Sequence, residues 1–524
     1  MKPAAGRCRL LCTKFAMSTP NTDFVAPSVV KIQLSPQDAW QPLPPGEWNT
    51  AAAAHLLRRA GWSAQPEEVQ RALADGLPKT LDRLFPERPT SLVKPKLVAD
   101  VAEETPGLYR KIRDTSPAER FILQREARER SRMALDDLSI KWLQLAAHPD
   151  HAAFEKWVLF LSDIYVVAFQ KVINASLIWQ HYDVLRHFAY GPAPALSKAV
   201  SRSPAMIMYL DLQQSQRGAP NENFARELFE LFLLGVGNYT EQDIKQAARA
   251  FTGYRQRDGE FIFAPRQHDD GDKTVFGHTG NFNGDDIIDL AYQLPAAGRF
   301  LPHEMVKWYL SDTPIADDYL ETIGQWWRGR NFALRPLALQ FFGSRLFFAP
   351  EFRGNFIKSP LQFYLSLMQD LGLSVAPLPR RVLVAMRQMG QVLFDPPNVR
   401  GWVGGRYWIN SATLGARRAV VDELFAPLNE ASLNADEQVE LVAARAEGID
   451  NFTFTSDRLA PFAQCNDDQL TARLCDYFLP VPVDPGFRND VKTFLVGDGS
   501  DRGRLLRVRN AVMTLLEAPE YQLC

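Results

Sequence analysis

Apolar residues recur three and four positions apart along most of the chain, which is the spacing of one face of an α-helix. The clearest example is the stretch 221–237, NENFARELFELFLLGVG. Its predicted buried face consists of Phe224, Leu228, Leu231, Phe232 and Gly235. Strand-like runs are short, such as the one at 261–263. The pattern therefore predicts a mainly α, multi-helical globular protein with a few short strands.

The polar side of this central helix carries an ordered set of charges. Asn221 follows a proline and is predicted to cap the helix, which places Glu222 in the first turn, where the helix dipole favours a carboxylate. Glu222, Arg226 and Glu230 follow at intervals of four residues. This spacing predicts a ladder of alternating charges along the helix.

A second polar row flanks the apolar face of the same helix and contains Asn223, Glu227 and Glu230. Two carboxylates three residues apart beside an apolar face can bind a metal ion, as they do in carboxylate-rich helical bundles. The alternative is a salt-bridge ladder in which Arg226 and another Arg or Lys neutralise the two acids. The residues leave both interpretations open.

A helix near the start of the chain is predicted over 51–60, with Thr50 as its cap and a glycine at its end. His55, Arg58 and Arg59 lie together on this helix. They could bind an anionic ligand. Alternatively, the two arginines pair with acids elsewhere in the fold, and the histidine makes one local hydrogen bond.

A polar loop at 268–273, HDDGDK, follows the short strand-like run. His268 and Asp269 supply imidazole and carboxylate ligands of the kind that metal ions bind, and Lys273 adds a positive charge. The spacing does not fit an EF-hand loop. The alternative is a structural turn stabilised by its aspartates.

A rigid turn is predicted at 395–402, DPPNVRGW, because two prolines fix its backbone. Trp402, Tyr407, Trp408 and Asn410 could line a pocket for a sugar or another flat ligand. A packed aromatic turn is the alternative.

Composition limits the classes of function. The chain has 524 residues, of which 46% are hydrophobic and 23% charged, as in ordinary soluble globular proteins. A net charge of -2 gives no basic footprint for nucleic acid. The sequence contains no run of 18 apolar residues, so no membrane span is predicted. Five scattered cysteines form no CxxC pair, which argues against a cysteine metal site.

The start of the chain has only a poor hydrophobic region for a secretion signal, and Met17 could be the true start. Together with the odd number of cysteines, this predicts a cytoplasmic protein. The predicted organisation is an irregular arm at 1–47, a helical body at 48–424, and a C-terminal helical part of the same region at 425–524. Nucleophile-elbow, P-loop, dinucleotide-binding, HExxH and kinase motifs are absent from the sequence.

Six sequence blocks resemble those of the DUF1800 family, bacterial proteins of unassigned function, over nearly the whole chain from about residue 48. They are AAHLLRRAGWSA (53–64), SRSPAMIMYLD (201–211), the NEN block from 221, HDDGDKTVFGHTGNFNGDDIIDL (268–290), MGQVLFDPPNVRGWVGGRYWINSATLGARR (389–418) and LLEAPEYQLC (515–524).

One stretch of this chain, residues 160–165, departs from the usual pattern of the family. Relatives usually carry Phe-Trp-His-Asn-His-Phe where this chain has Phe-Leu-Ser-Asp-Ile-Tyr at 160–165. Both histidines are missing, so any acid–base or metal role that they have in relatives is lost here or has moved to Asp163. Many relatives look exported, and many are encoded beside a DUF1501 protein of sulfatase-like appearance.

Two functional hypotheses follow. The first is a metal- or anion-dependent enzyme-like protein acting on an anionic ester or sugar, with a site assembled from the NEN helix, the 268–273 loop and the first helix. Its catalytic candidates are Glu227, His268 and Asp269. Its candidate ligands for a divalent metal ion are Glu227, Glu230, His268 and Asp269. Its substrate-binding candidates are His55, Arg58, Arg59, Asn221, Asn223, Arg226, Lys273 and Trp402.

The second hypothesis is a non-enzymatic helical binding or assembly protein that works with a DUF1501-type partner. The charged residues would then form a network that fixes the fold.

Overall fold

The computed structural model describes residues 29–459, 465–496 and 501–524. Within these ranges the chain forms 23 α-helices, numbered here in chain order. They are α1 (Pro36–Ala39), α2 (Thr50–Ala60), α3 (Pro66–Leu84), α4 (Lys96–Asp114), α5 (Pro117–Ala147), α6 (Pro149–Ile164), α7 (Phe169–Val172), α8 (Ala175–Phe188), α9 (Ala193–Ser201), α10 (Pro204–Tyr209), α11 (Asn223–Glu227), α12 (Glu241–Ala250), α13 (Gly284–Gln293), α14 (Pro295–Tyr309), α15 (Asp317–Arg328), α16 (Leu334–Gly343), α17 (Pro360–Asp370), α18 (Pro379–Met389), α19 (Ser411–Phe425), α20 (Ala435–Ala446), α21 (Asp467–Phe478), α22 (Pro485–Thr493) and α23 (Asp501–Glu517).

The strands described are short and form two antiparallel pairs. β1 (Tyr254–Arg257) pairs with β2 (Glu260–Phe263), and β3 (Lys273–Val275) pairs with β4 (His278–Gly280). The predicted extended run at 261–263 is confirmed as part of β2. The mainly α fold class is confirmed as well.

The longest helix, α5, organises the body. From Ser131 onward it is largely buried and packs against α4, α6, α8, α17 and α18. Trp142 in this half is fully buried, and its indole N–H donates to the Tyr182 hydroxyl at 2.7 Å. One continuous hydrophobic core extends from Ala39 to Tyr521, so it continues across residue 425.

Local sequence signals explain several helix boundaries. Thr240 caps α12 through a reciprocal capping box with Asp243. The start of α2 differs by one residue from the prediction: the Asn49 side chain accepts from the Ala52 N–H, and Thr50 is already helical. Asn49 therefore takes the capping role that the sequence assigned to Thr50.

The central helix departs from the predicted regular α-helix. α11 covers five residues, and Leu228–Leu233 continues it as a π-helical turn. In this turn the Leu234 N–H donates to the Phe229 carbonyl five residues earlier, at 2.9 Å. The extra residue in the turn changes which side chains share a face after Glu227.

Residues 1–28 of the predicted irregular arm lie outside the described residues. The following 29–47 pack against the body: Trp40 and Leu43 are buried, and the Leu43 N–H donates to the Gly343 carbonyl at 2.8 Å. α1 also lies in this segment. The described part of the arm is therefore ordered by contacts with α16.

Candidate functional site

A polar cleft of about 440 Å³ lies where the π-helical turn meets α6, α14, the start of α15 and the turn at 398–402. Its wall includes apolar side chains such as Leu231, Phe300 and Leu320. Eight titratable residues line it: Asp163, Glu230, Arg299, His303, Glu304, Lys307, Asp317 and Arg400. We call this site the Asp163 cleft.

Asp163 is the penultimate residue of α6 and is held by two donors. One carboxylate oxygen accepts from the Trp402 backbone N–H at 3.0 Å, and the other accepts from the Trp308 indole N–H at 3.2 Å. Gly401 lies directly against this carboxylate with φ +77°, and a Cβ there would collide with Asp163. The absence of a side chain at Gly401 is what lets the turn approach the acid so closely.

Burial raises the pKa of Asp163 to about 7, against the opposing effects of the Trp402 N–H, the Lys307 ammonium and the Trp308 N–H. The Glu304 carboxylate contributes to the increase. Asp163 can therefore hold or release a proton near neutral pH, as a general acid or base must.

Glu230 reaches the cleft from the π-helical turn. Its carboxylate pairs with Arg400 at 2.8 Å and accepts from the Tyr239 hydroxyl at 3.0 Å. Within the predicted ladder, the pair between Arg226 and Glu222 is present at 3.3 Å, and Arg226 also pairs with Glu241 at 2.7 Å. Among the described ion pairs the ladder does not extend to Glu230, which lies in the π-helical turn and pairs with Arg400 instead.

α14 contributes a third polar group. Glu304 accepts from His303 Nδ1 at 3.0 Å and from the Lys307 ammonium at 3.3 Å. Burial alone would raise the pKa of Glu304, but these two neighbours hold it below its usual value. The cleft thus contains two carboxyl groups, Asp163 and Glu304, whose pKa values are shifted in opposite directions.

Glu227 lies one turn before Glu230 and is half-buried. Burial raises its pKa, and the neighbouring Glu230 raises it further. Asn221 and Asn223 bind backbone instead: their side-chain amides donate to the carbonyls of Asp211 and Leu210 at 3.2 and 3.1 Å. These two asparagines anchor the segment before the helix.

The 268–273 loop lies beside α12. Asp269 accepts from Arg249 with both carboxylate oxygens, at 2.8 and 3.1 Å, which lowers its pKa to about 2. The His268 ring bonds the Thr252 carbonyl through Nδ1 at 2.8 Å. Lys273 is buried and donates to the Gly271 carbonyl at 2.9 Å. All three side chains make contacts that stabilise the loop.

The three residues of α2 also bind main-chain groups. His55 Nε2 bonds the Phe347 carbonyl at 3.0 Å, and Arg58 donates to the Tyr477 carbonyl at 3.2 Å. Arg59 is 1% exposed and donates to four oxygens. They are the carbonyls of Tyr309, Leu310 and Phe352 and the side chain of Asn355.

The residues of the predicted aromatic pocket have different roles in the structure. Trp402 supplies the N–H that binds Asp163, whereas Trp408 is buried and Tyr407 is 76% exposed. Asn410 caps α19. Arg400, which precedes Gly401, lines the cleft together with Val399.

The four predicted metal ligands make their contacts in two places. Glu227 and Glu230 lie along the turn that reaches the cleft, whereas His268 and Asp269 are bound to Thr252 and Arg249. Within the described ranges, no group of three or more His, Cys, Asp or Glu side chains is arranged to hold a metal ion.

Only part of the cleft is predicted from the sequence. The helical pattern indicates Glu230 and the family resemblance indicates Asp163, whereas neither indicates His303, Glu304 or Lys307. The available signal was polar residues one and four positions apart on an otherwise apolar helix. Arg400 is not predicted either, because the aromatic residues are the distinctive feature of its turn in the sequence.

These features define a mainly α-helical protein with a cleft lined by acids and bases beside a π-helical turn. The chain belongs to the DUF1800 family, described as proteins of unknown function, whose model matches residues 55–523. No curated protein and no solved structure matches it. Among the described residues, no helix combines the length and apolar character that a bilayer crossing requires.

Proposed function

We propose that the chain is an enzyme-like protein that binds a small ligand with one anionic group in the Asp163 cleft, and that Asp163 is its acid–base group. The ligand class is an acidic sugar or an anionic ester. The observation that carries this proposal is the convergence of Asp163, Glu230 and Arg400, from three distant parts of the chain, with Glu304 and Lys307.

Two carboxyl groups with oppositely shifted pKa values can divide acid and base roles. Protonated Asp163 would give its proton to the oxygen of the leaving group. Ionised Glu304 would take a proton from the attacking water, whose oxygen forms the new bond as the ester or glycosidic bond breaks. The raised pKa of Asp163 and the lowered pKa of Glu304 fit these assignments.

The charges of the cleft favour a ligand with a single negative group. The Arg400 and Lys307 side chains are 67% and 63% exposed, and exposed ion pairs of this kind contribute only about 0–1 kcal/mol. An incoming carboxylate or sulfate can therefore recruit either cation at small cost. Glu230 and Asp317 would repel a polyanion, so hydroxyl groups suit the rest of the cleft.

Calorimetric titration tests the binding step with glucuronate, sulfate and uncharged glucose as probes. We expect glucuronate to bind more tightly than glucose, and Arg400→Ala to weaken it about tenfold, or about 1.4 kcal/mol. Arg217→Ala is the matched control, because Arg217 is similarly exposed and pairs with Asp270 outside the cleft lining. Equal affinities in the two variants would contradict the proposal.

Hydrolysis of 4-nitrophenyl glucuronide and 4-nitrophenyl sulfate tests the chemical step. We expect Asp163→Asn to lower the rate by roughly 10²- to 10⁴-fold while probe binding persists, as for the loss of a general acid. A variant that binds and turns over like the wild type would remove Asp163 from the mechanism.

A binding or assembly protein remains the second candidate. It is favoured by the fold-stabilising contacts of Arg59, Asn221 and Asn223, which had been candidates for substrate binding. A DUF1501-type protein is the proposed partner in that case. Probe binding without turnover of either substrate class would favour this candidate.

A further inference from the structure

α4 and α5 form a helical hairpin whose outer half projects from the body. Between Thr105 and Ser131, none of the side chains whose exposure is described is buried. The two arms are held there by polar contacts: Arg120 donates to the Ile112 and Thr115 carbonyls at 3.1 and 3.2 Å. This segment, residues 106–130, is called the hairpin tip.

Apolar side chains are exposed at the hairpin tip. Phe121 and Ile122, in the first turns of α5, are 67% and 47% exposed. They follow the short connection between the two helices by only a few residues. Two adjacent, large apolar side chains on a projecting element are therefore left exposed by the part of the chain that the structure describes.

The hairpin tip is also basic, although the whole chain has a net charge of -2. Residues 106–130 contain seven basic residues against four acidic ones. The basic residues are Arg110, Lys111, Arg113, Arg120, Arg125, Arg128 and Arg130. None of the ion pairs described involves Arg110, Lys111 or Arg128. These three exposed cations are available to an anionic surface.

We propose that the hairpin tip docks on the surface of an anionic lipid bilayer. Phe121 and Ile122 would enter the interfacial region, while the surrounding cations contact lipid headgroups. An exposed apolar pair within a basic helical surface is the combination that interfacial membrane contacts use. The contact is with the bilayer surface and involves no membrane-spanning element.

The apolar pair distinguishes this partner from nucleic acid. Phosphate-backbone binding relies on Lys and Arg and requires no exposed Phe or Ile. An anionic bilayer uses both features, because it offers negative headgroups and an apolar interior next to them. Charge complementarity and the exposed side chains therefore favour the same surface.

Co-sedimentation of the full chain with vesicles tests the proposal, using phosphatidylcholine alone and phosphatidylcholine with phosphatidylglycerol. We expect binding to the anionic vesicles only, with weakening as salt increases. Arg110→Gln/Lys111→Gln/Arg128→Gln should lower the partition coefficient roughly 10- to 100-fold. Phe121→Ser/Ile122→Ser should lower it roughly tenfold or more.

Val439→Ser/Val442→Ser is the matched control, because these two residues are 67% and 65% exposed on α20. It should bind like the wild type, and unchanged melting curves would show that all variants fold. Absent binding, equal binding to uncharged vesicles, or identical binding by tip and control variants would overturn the proposal. Tip-dependent binding that is tighter to duplex DNA or polyglutamate than to vesicles would overturn it as well.

Discussion

Two polar regions of this protein use similar residue types in opposite ways. The Asp163 cleft is open to solvent, and its cations Arg400 and Lys307 are mostly exposed. The second region, the sealed cationic cluster, is at most 4% exposed at each member. Its members are Arg59, Lys156, Lys358 and Arg417.

The sealed cluster binds the protein's own oxygens. Lys156 donates to the Gly61 carbonyl at 2.8 Å and to Gln362 at 3.1 Å, and Arg417 donates to the Lys358 carbonyl at 2.8 Å. Such donors have little capacity left for a ligand. In the cleft, by contrast, cations pair weakly at the surface, which leaves them available. Solvent access and the identity of the acceptors separate the two roles.

The largest predicted effect, and the strongest test of the difference between the two regions, is the loss of stability in Arg59→Met. It removes four hydrogen bonds made by a buried guanidinium and leaves buried carbonyl groups unpaired. We expect the free energy of unfolding to fall by roughly 3–5 kcal/mol. Urea unfolding followed by circular dichroism measures this change.

Arg400→Met is the matched variant from the cleft. Its ion pair with Glu230 is exposed on the arginine side, so we expect a loss below about 1 kcal/mol. If the two variants lose similar stability, the distinction between a sealed structural cluster and an open site is wrong.

The next prediction concerns the contact between the rigid turn and the cleft. Gly401→Ala places a methyl group against the Asp163 carboxylate at a residue with φ +77°. Steric overlap and left-handed strain together should cost about 2–3 kcal/mol. Thermal unfolding measures the loss.

Gly390→Ala separates strain from contact. Gly390 also has positive φ, +99°, but a Cβ there has no neighbour within 4 Å. We expect it to lose about 1 kcal/mol, from strain alone. Equal losses in the two variants would show that Gly401 does not hold the turn against Asp163.

Local signals in the sequence predicted much of the fold because they act over a few residues. The mainly α fold class and the extended run at 261–263 are present as predicted. The π-helical turn was not predictable from helical spacing, since apolar residues such as Phe232 stay buried in either helix type. Glu230 lies in that turn and pairs with Arg400 rather than with Arg226.

The site was less predictable because it depends on tertiary contacts. The sequence of the 268–273 loop does not predict that Asp269 pairs with Arg249, twenty residues earlier, rather than with a ligand. The sequence around Arg59 does not predict that its guanidinium donates to four protein oxygens. Residue type gives the possible chemistry of a side chain, whereas its partners determine whether that chemistry is available.

The last prediction is a pH dependence of stability that belongs to Asp163. Its pKa is about 7 in the fold and about 3.8 when unfolded, so the folded state binds more protons between these values. The free energy of unfolding should therefore fall as pH rises from about 4 to 7. Asp163→Asn should remove a decrease of about 1–2 kcal/mol, because partial exposure screens the full shift. Urea titrations at several pH values measure this slope.

Lys156→Met, from the sealed cluster, is the control, because stability should depend on pH in the opposite direction at this residue. The pKa of Lys156 is lowered to about 7 by burial, from 10.5, so the unfolded state binds more protons above pH 7. Its contribution to stability increases as pH rises from about 7 to 10.5, outside the Asp163 window. A wild-type slope between pH 4 and 7 that persists in Asp163→Asn would assign it to other carboxyl groups. That result would also contradict the proposed role of the cleft, which requires Asp163 to exchange a proton near neutral pH.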